Sequence, residues 1–269
     1  MTEHTSGKKY ALILGASSGF GAATAIRLAR DGYHIFGVHL DRKATMYMVE
    51  EVIQEIRHHG DEPQFFNINA ADEKKRKMVV EEVRKSVPEG EYIKVFLHSL
   101  AFGTLKHFIS DEKELAITRS NMEMTLDVMA HSLVYWVQEL YWANLLGHGS
   151  RIFGMTSYGS THVVPYYGAV SAAKAALESH IRQLAMELAP LGVTANAIRA
   201  GVTNTPALQK IPGHEKMVHA AVERNPGRRL TTPEDVANAI AALSTEDCQW
   251  INGNVIGVDN GESVVDYIK

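Results

Sequence analysis

Cysteine is almost missing from this chain of 269 residues, where Cys248 stands alone. A single thiol excludes an intrachain disulfide and suits a reducing compartment, so the expected location is the cytoplasm. Long apolar runs are missing as well. No stretch reaches the roughly 18 residues that a membrane span needs, and the opening "MTEHTSGKK" has no apolar segment behind a basic head. No membrane partner is expected. There is no excess of positive charge, since 27 Lys and Arg stand against 31 Asp and Glu for a formal net charge of -4. That balance argues against nucleic acid as a partner. The 13 histidines are scattered, with no H-E-x-x-H pattern and no close cysteine, so no metal site is expected.

Linkers, repeats and low-complexity tracts are also lacking, which leaves no boundary at which to divide the chain. With 45% hydrophobic residues, a chain this long can build one large core, and residues 1–269 read as a single α/β domain. Seven short apolar or β-branched runs are the strand candidates: "YALIL", "YHIFGVHL", "QFFNI", "YIKVFLH", "RIFGM", "VTANAI" and "NVIGV". Between most of them lie stretches of helical period such as "ATMYMVEEVIQEIRHHG". This alternation predicts a doubly wound sheet of about seven parallel strands with helices on both faces. "NMEMTLDVMAHSLVYWVQELYWANLL" predicts a long helix that is apolar on more than one face, which favours burial against another subunit. Residues 201–231, rich in proline, fall at the carboxyl edge of the sheet, where such folds bind ligands. They read as a substrate-binding lid, with an ordinary surface loop as the alternative.

"YALILGASSGFGAATAIRLARDG" is a strand, a glycine turn and a helix. Gly15 allows a tight turn, Gly19 lets backbone approach a pyrophosphate, and Gly21 lets the helix pack on the sheet. Ser17, Ser18 and Phe20 fill the turn, and amides at the helix start face the anion. A Rossmann-type dinucleotide site is expected. The second strand ends in "FGVHLDRK", where an acid would bind the free ribose hydroxyl of NAD and a base the 2'-phosphate of NADP. His39 holds the acid position and Arg42 follows, so NADPH is expected over NADH. Asp41 either reaches the ribose or pairs with a neighbouring base. Asn69, followed by Ala70, offers an amide to the adenine edge or simply forms a turn.

Nearly the whole chain, from the glycine turn to "INGNVIGVDNG", resembles the short-chain dehydrogenase/reductase superfamily. Four features are similar to its enoyl-acyl-carrier-protein reductases: "LHSLAFG", Asp127, the tyrosine spacing in "SYGSTHVVPYYGAVSAAK", and "AGVTNTPAL". The resemblance implies that Ser99, Leu100 and Ala101 bring backbone to the cofactor and that Phe102 lines the substrate pocket. Asp127 stands where ordinary members hold a proton-relay asparagine, so a different relay, or none, is implied. The usual catalytic tyrosine, four residues before Lys174, is replaced by Val170. Tyr167, seven before Lys174, matches the enoyl reductases, and Tyr158 falls near their additional active-site tyrosine. Tyr158 is either a second oxygen ligand or a pocket wall. Ser157 supports the loop. After Gly201, Thr203 and Thr205 are implied to meet the nicotinamide amide and the pyrophosphate, and a homotetramer is implied.

A displaced tyrosine has a chemical reason. When a carbonyl is reduced, hydride goes to the carbon bearing the oxygen. In an enoyl thioester it goes to C3 while charge collects on the oxygen at C1, a displacement of roughly 2.5 Å. A misplacement of about 1 Å costs on the order of a hundredfold, so the two reactions favour different anchors. Tyr167 is then the proton or oxyanion donor. Lys174 holds the nicotinamide ribose, and its field is expected to lower the tyrosine's pKa. The expected activity is NADPH-dependent reduction of the C2–C3 bond of trans-2-enoyl thioesters, on acyl-carrier protein or coenzyme A, in fatty-acid synthesis. The alternatives are a ketoreductase or hydroxysteroid-type dehydrogenase and a non-catalytic NADP-binding regulator.

Overall fold

A computed structural model describes residues 8–265. The seven apolar runs form β1 (Lys9–Leu14), β2 (Tyr33–His39), β3 (Gln64–Asn67), β4 (Ile93–His98), β5 (Arg151–Ser157), β6 (Thr194–Ala200) and β7 (Val255–Val258). They make one sheet in the order β3-β2-β1-β4-β5-β6-β7, and every neighbouring pair is parallel. Strands covered on both faces need no polar alternation. Hence β2 is buried at every residue.

Helices α1 (Gly19–Arg30), α2 (Met46–His58) and α8 (Pro233–Leu243) bury one sheet face through residues such as Leu28, Ile56 and Ile240. The other face is covered by α3 (Glu73–Ser86), α5 (Ser132–Trp142) and α6 (Gly168–Leu188), through Val79, Trp136 and Leu177. Strand order reverses between β1 and β4, so their carboxyl ends open a crevice where such sheets bind ligands.

The expected long helix is present but interrupted. It begins with α4 (Arg119–Leu126), started by a reciprocal cap between Thr118 and Asn121. It then passes through a π turn, Asp127–His131, before α5. The Ser132 N–H reaches back to the Asp127 carbonyl, which accommodates one extra residue in the turn. Such bulges concentrate at functional sites. Here the Ser132 hydroxyl donates to the Val128 carbonyl at 2.8 Å and accepts from Nε2 of buried His98 at 2.7 Å.

Residues 201–231 are not an open loop. They hold a short 3-10 turn, Leu208–Lys210, and α7 (His214–Arg224). The far end is tied to the turn after β7: Asn225 donates to the Asp259 carbonyl at 3.1 Å, and Arg224 pairs with buried Glu262 at 3.3 Å.

Trp136 is the largest fully buried side chain, and its indole N–H donates to the Ala70 carbonyl at 2.8 Å. Trp136→Ala is expected to cost about 3–5 kcal/mol in chemical denaturation. Trp136→Phe keeps most of the packing but leaves the Ala70 carbonyl unpaired, and should cost about 1–3 kcal/mol.

Candidate active site

Three segments meet at the glycine turn. Gly15 takes φ 84°, and a Cβ there would overlap the Ser99 carbonyl at the end of β4. Gly21 packs on the turn so closely that a Cβ would overlap the Gly15 carbonyl. An added Cβ on Gly19 would lie 3.4 Å from Cγ2 of Thr205, in the loop after β6. The bare backbone therefore leaves a slot between Gly19 and Thr205. Ser18 precedes α1 in extended conformation without bonding its first amides, so those donors remain for an anion.

At the adenosine end, His39 is buried, and its Nδ1 donates to Asp41 Oδ2 at 3.0 Å. Burial alone would raise the Asp41 carboxyl, but bonds from Ser17, Thr45 and His39 outweigh it and hold the group below its ordinary value. Asp41 therefore connects the end of β2 to the glycine turn, while Arg42 is exposed beside it. Asn69 accepts from the Ala71 N–H at 3.0 Å, and the carbonyl of buried Ala70 is taken by Trp136.

A cavity of about 450 Å³ opens at the carboxyl ends of β4, β5 and β6. It gathers Phe20, Ser99, Leu100 and Ala101 with Tyr158, Tyr167 and Lys174. Gly201, Thr203 and Thr205 form its opposite wall. Thr203 Oγ1 donates to the Gly201 carbonyl at 3.0 Å, and Thr205 Oγ1 accepts from the Leu208 N–H at 3.2 Å. Phe102 is a correction. It is 60% exposed and is not among the residues that line the cavity, where Leu100, Gly103 and Leu105 stand instead. The next residue, Gly103, is tightly seated: an added Cβ would come within 2.7 Å of Val170 Cγ2 and 2.8 Å of Met129 Sδ.

Tyr167 caps α6 rather than lying within it; its carbonyl accepts from the Ser171 N–H at 2.8 Å. Tyr166 turns the chain into that cap with φ 64° and rests against the His107 ring, centroids 4.4 Å apart. Lys174, buried one and a half turns into α6, donates to the Met155 carbonyl at 2.7 Å. Tyr158 is held between two partners that spacing did not reveal. His162 stacks on one side at 3.5 Å, and the Arg224 guanidinium lies 5.2 Å from the ring centroid. Arg224 and Glu262 line the cavity at sequence positions that match no motif.

Burial lowers Lys174 to about 8, opposed by the field of Glu178. Burial, then the charge of Lys174, lowers His98 to about 3, so its imidazole is neutral. Burial raises the Tyr167 phenol, and the Ser157 hydroxyl favours its anion without reaching hydrogen-bond geometry. This corrects the expectation that Lys174 lowers the tyrosine. The phenol is a firmly protonated donor. Ser157 Oγ is buried with no partner. The glycine slot, the open amides at the head of α1 and the buried Lys174 ammonium fit the residues to a nicotinamide dinucleotide.

Because folded His98 refuses a proton that the unfolded chain accepts near pH 6.5, stability present above that pH is lost as pH falls toward about 3. Denaturation midpoints measured from pH 7 to pH 4 should fall for the native protein. The fall should be shallower for His98→Gln, whose amide can still donate to Ser132.

Residues 15–263 match the family model described as enoyl-(acyl carrier protein) reductase. The chain is 27% identical over 268 residues to 1-cyclohexenylcarbonyl-CoA reductase of Streptomyces collinus, covering 96% of this chain and 88% of that one. It is 32% identical over 169 residues to the NADH enoyl-acyl-carrier-protein reductase FabI of Escherichia coli, where the match spans 63% of each chain. The crystal structure of the NADH enoyl-acyl-carrier-protein reductase of Aquifex aeolicus superposes with a TM-score of 0.83 at 25% identity, covering 97% of this chain and 98% of that one. The chain therefore belongs to the enoyl-(acyl carrier protein) reductase family of the short-chain dehydrogenase/reductase superfamily, and is a nicotinamide-dependent oxidoreductase acting on carbon–carbon bonds.

Proposed function

We propose that this chain reduces the C2–C3 double bond of trans-2-enoyl thioesters, carried on acyl-carrier protein or coenzyme A, with NADPH, in fatty-acid synthesis. The observation that carries the reading is the pairing of Tyr167 with Lys174 in one cavity, while position 170 is a valine packed under Gly103. A nicotinamide held in this cavity would supply the hydride that C3 receives. Tyr167 donates to the thioester oxygen as negative charge gathers there, and its raised pKa keeps the proton in place until that moment. The Lys174 ammonium, aimed by the Met155 carbonyl, holds the ribose hydroxyls. Tyr158, fixed between His162 and Arg224, is a second ligand for the same oxygen. Leu105, Met129 and Val164 give the acyl chain an apolar wall, and residues 201–231 serve as the lid.

For NADPH, the support is local charge. The one acid of the β2 turn, Asp41, is occupied by Thr45 and His39, which leaves Arg42 as the exposed charge beside it. Self-association as a homotetramer is supported by Tyr135 and Trp142 on α5 and Met186 on α6, all exposed.

The deciding experiment follows cofactor oxidation with crotonyl and longer enoyl thioesters, NADPH and NADH in parallel. Turnover with NADPH preferred is expected; no turnover at any chain length would sink the assignment. Tyr167→Phe should lower kcat by about 10²–10⁴-fold with KM little changed. Arg42→Ala should raise KM for NADPH about fivefold and leave that for NADH alone. A native preference for NADH would instead make Asp41 the ribose ligand.

A further inference from the structure

The cavity chemistry leaves one buried acid without a task. Glu178 lies one helical turn beyond Lys174 on α6 and is 9% exposed. A carboxylate removed from water is costly unless it is bonded and its charge is answered. Thr156 supplies the bond, its Oγ1 donating to Glu178 Oε1 at 2.5 Å. Thr156 also directly follows Met155, whose carbonyl holds Lys174. Two consecutive residues of β5 thus pin the acid and the base of one helix, the first through its backbone and the second through its side chain.

Across the cavity Lys174 shares its lining with Tyr158, Arg224 and Glu262, of which the last two pair with each other at 3.3 Å. From β4 comes His98, neutral and engaged by Ser132. From the head of α6 comes the Tyr167 phenol, which carries no charge at neutral pH. On the π turn packed against α6, His131 is bonded to His180, further along the helix, at 3.0 Å. Glu178 is the charged side chain whose field acts on the ammonium.

We propose that Glu178 is a positioning residue: fixed by Thr156, its carboxylate is the buried counter-charge that keeps Lys174 an ammonium, directed by the Met155 carbonyl toward the cofactor ribose. The inference rests on the reading of Lys174 as the cofactor-holding base, and not on the identity of the substrate. Its direction can be worked out. Burial sets the Lys174 ammonium at about 8 even with Glu178 in place. Removing the carboxylate removes the one influence opposing burial, so deprotonation must move to lower pH.

The test is cofactor binding by NADPH fluorescence titration from about pH 6.5 to 9, with no thioester present, so that failure of the enoyl assay leaves the result readable. Native affinity should weaken as pH rises through about 8. For Glu178→Gln the midpoint should fall by about one unit, which weakens binding about fivefold at pH 8 but less than twofold at pH 6.5. Glu178→Met, apolar and of similar volume, should behave alike if the amide is poorly tolerated. Lys174→Met removes the pH dependence. A loss equal at every pH would mean that Glu178 only supports the fold, and a midpoint unchanged in the variants would overturn the proposal. So would native affinity that stays flat across the range, with no variant needed.

Discussion

A primary ammonium kept out of water at the carboxyl edge of the sheet is the constraint on which the site depends. Burial alone acts to strip Lys174 of its proton. His98, its neighbour at the end of β4, is held neutral chiefly by its own burial and further by the lysine's charge. A neutral imidazole still needs a partner for its N–H, and the π turn provides one by bringing the Ser132 hydroxyl to it. The irregularity in the long helix thus has a chemical reason. It gives a buried, neutral imidazole its partner.

The acid of the site is placed by backbone more than by helix. A residue inside a helix points where the helix dictates, but Tyr167 stands at the cap, where the preceding torsion sets its direction. That torsion belongs to Tyr166, whose φ of 64° is costly for a bulky residue, on the order of 1–3 kcal/mol. The His107 ring packed against it holds the conformation. Strain of this kind persists where surrounding structure fixes it, and here it sits one residue from the proton donor.

Much of this was legible in the sequence, because strands and the glycine turn are specified locally. Seven apolar runs became seven strands, and the turn from Gly15 to Gly21 required bare backbone wherever another carbonyl pressed against it. What the sequence hid depends on approach between distant segments. Phe102 was expected on the pocket wall, but it is largely exposed, and its neighbours Leu100 and Gly103 line the cavity. His39 and Asp41 stand two residues apart, and only the path of the chain decided that one is buried and the other reaches Ser17. Arg224 and Glu262 are 38 residues apart and carry no motif, yet both line the cavity.

The contact between Gly103 and Val170 has an evolutionary consequence. A side chain added at Gly103 would press on Val170, so the loop after β4, which also supplies Leu100 and Ala101 to the cavity, and the head of α6 share one contact. Substitutions at positions 103 and 170 are therefore expected to be non-additive, so that what evolution can place at one depends on what already stands at the other.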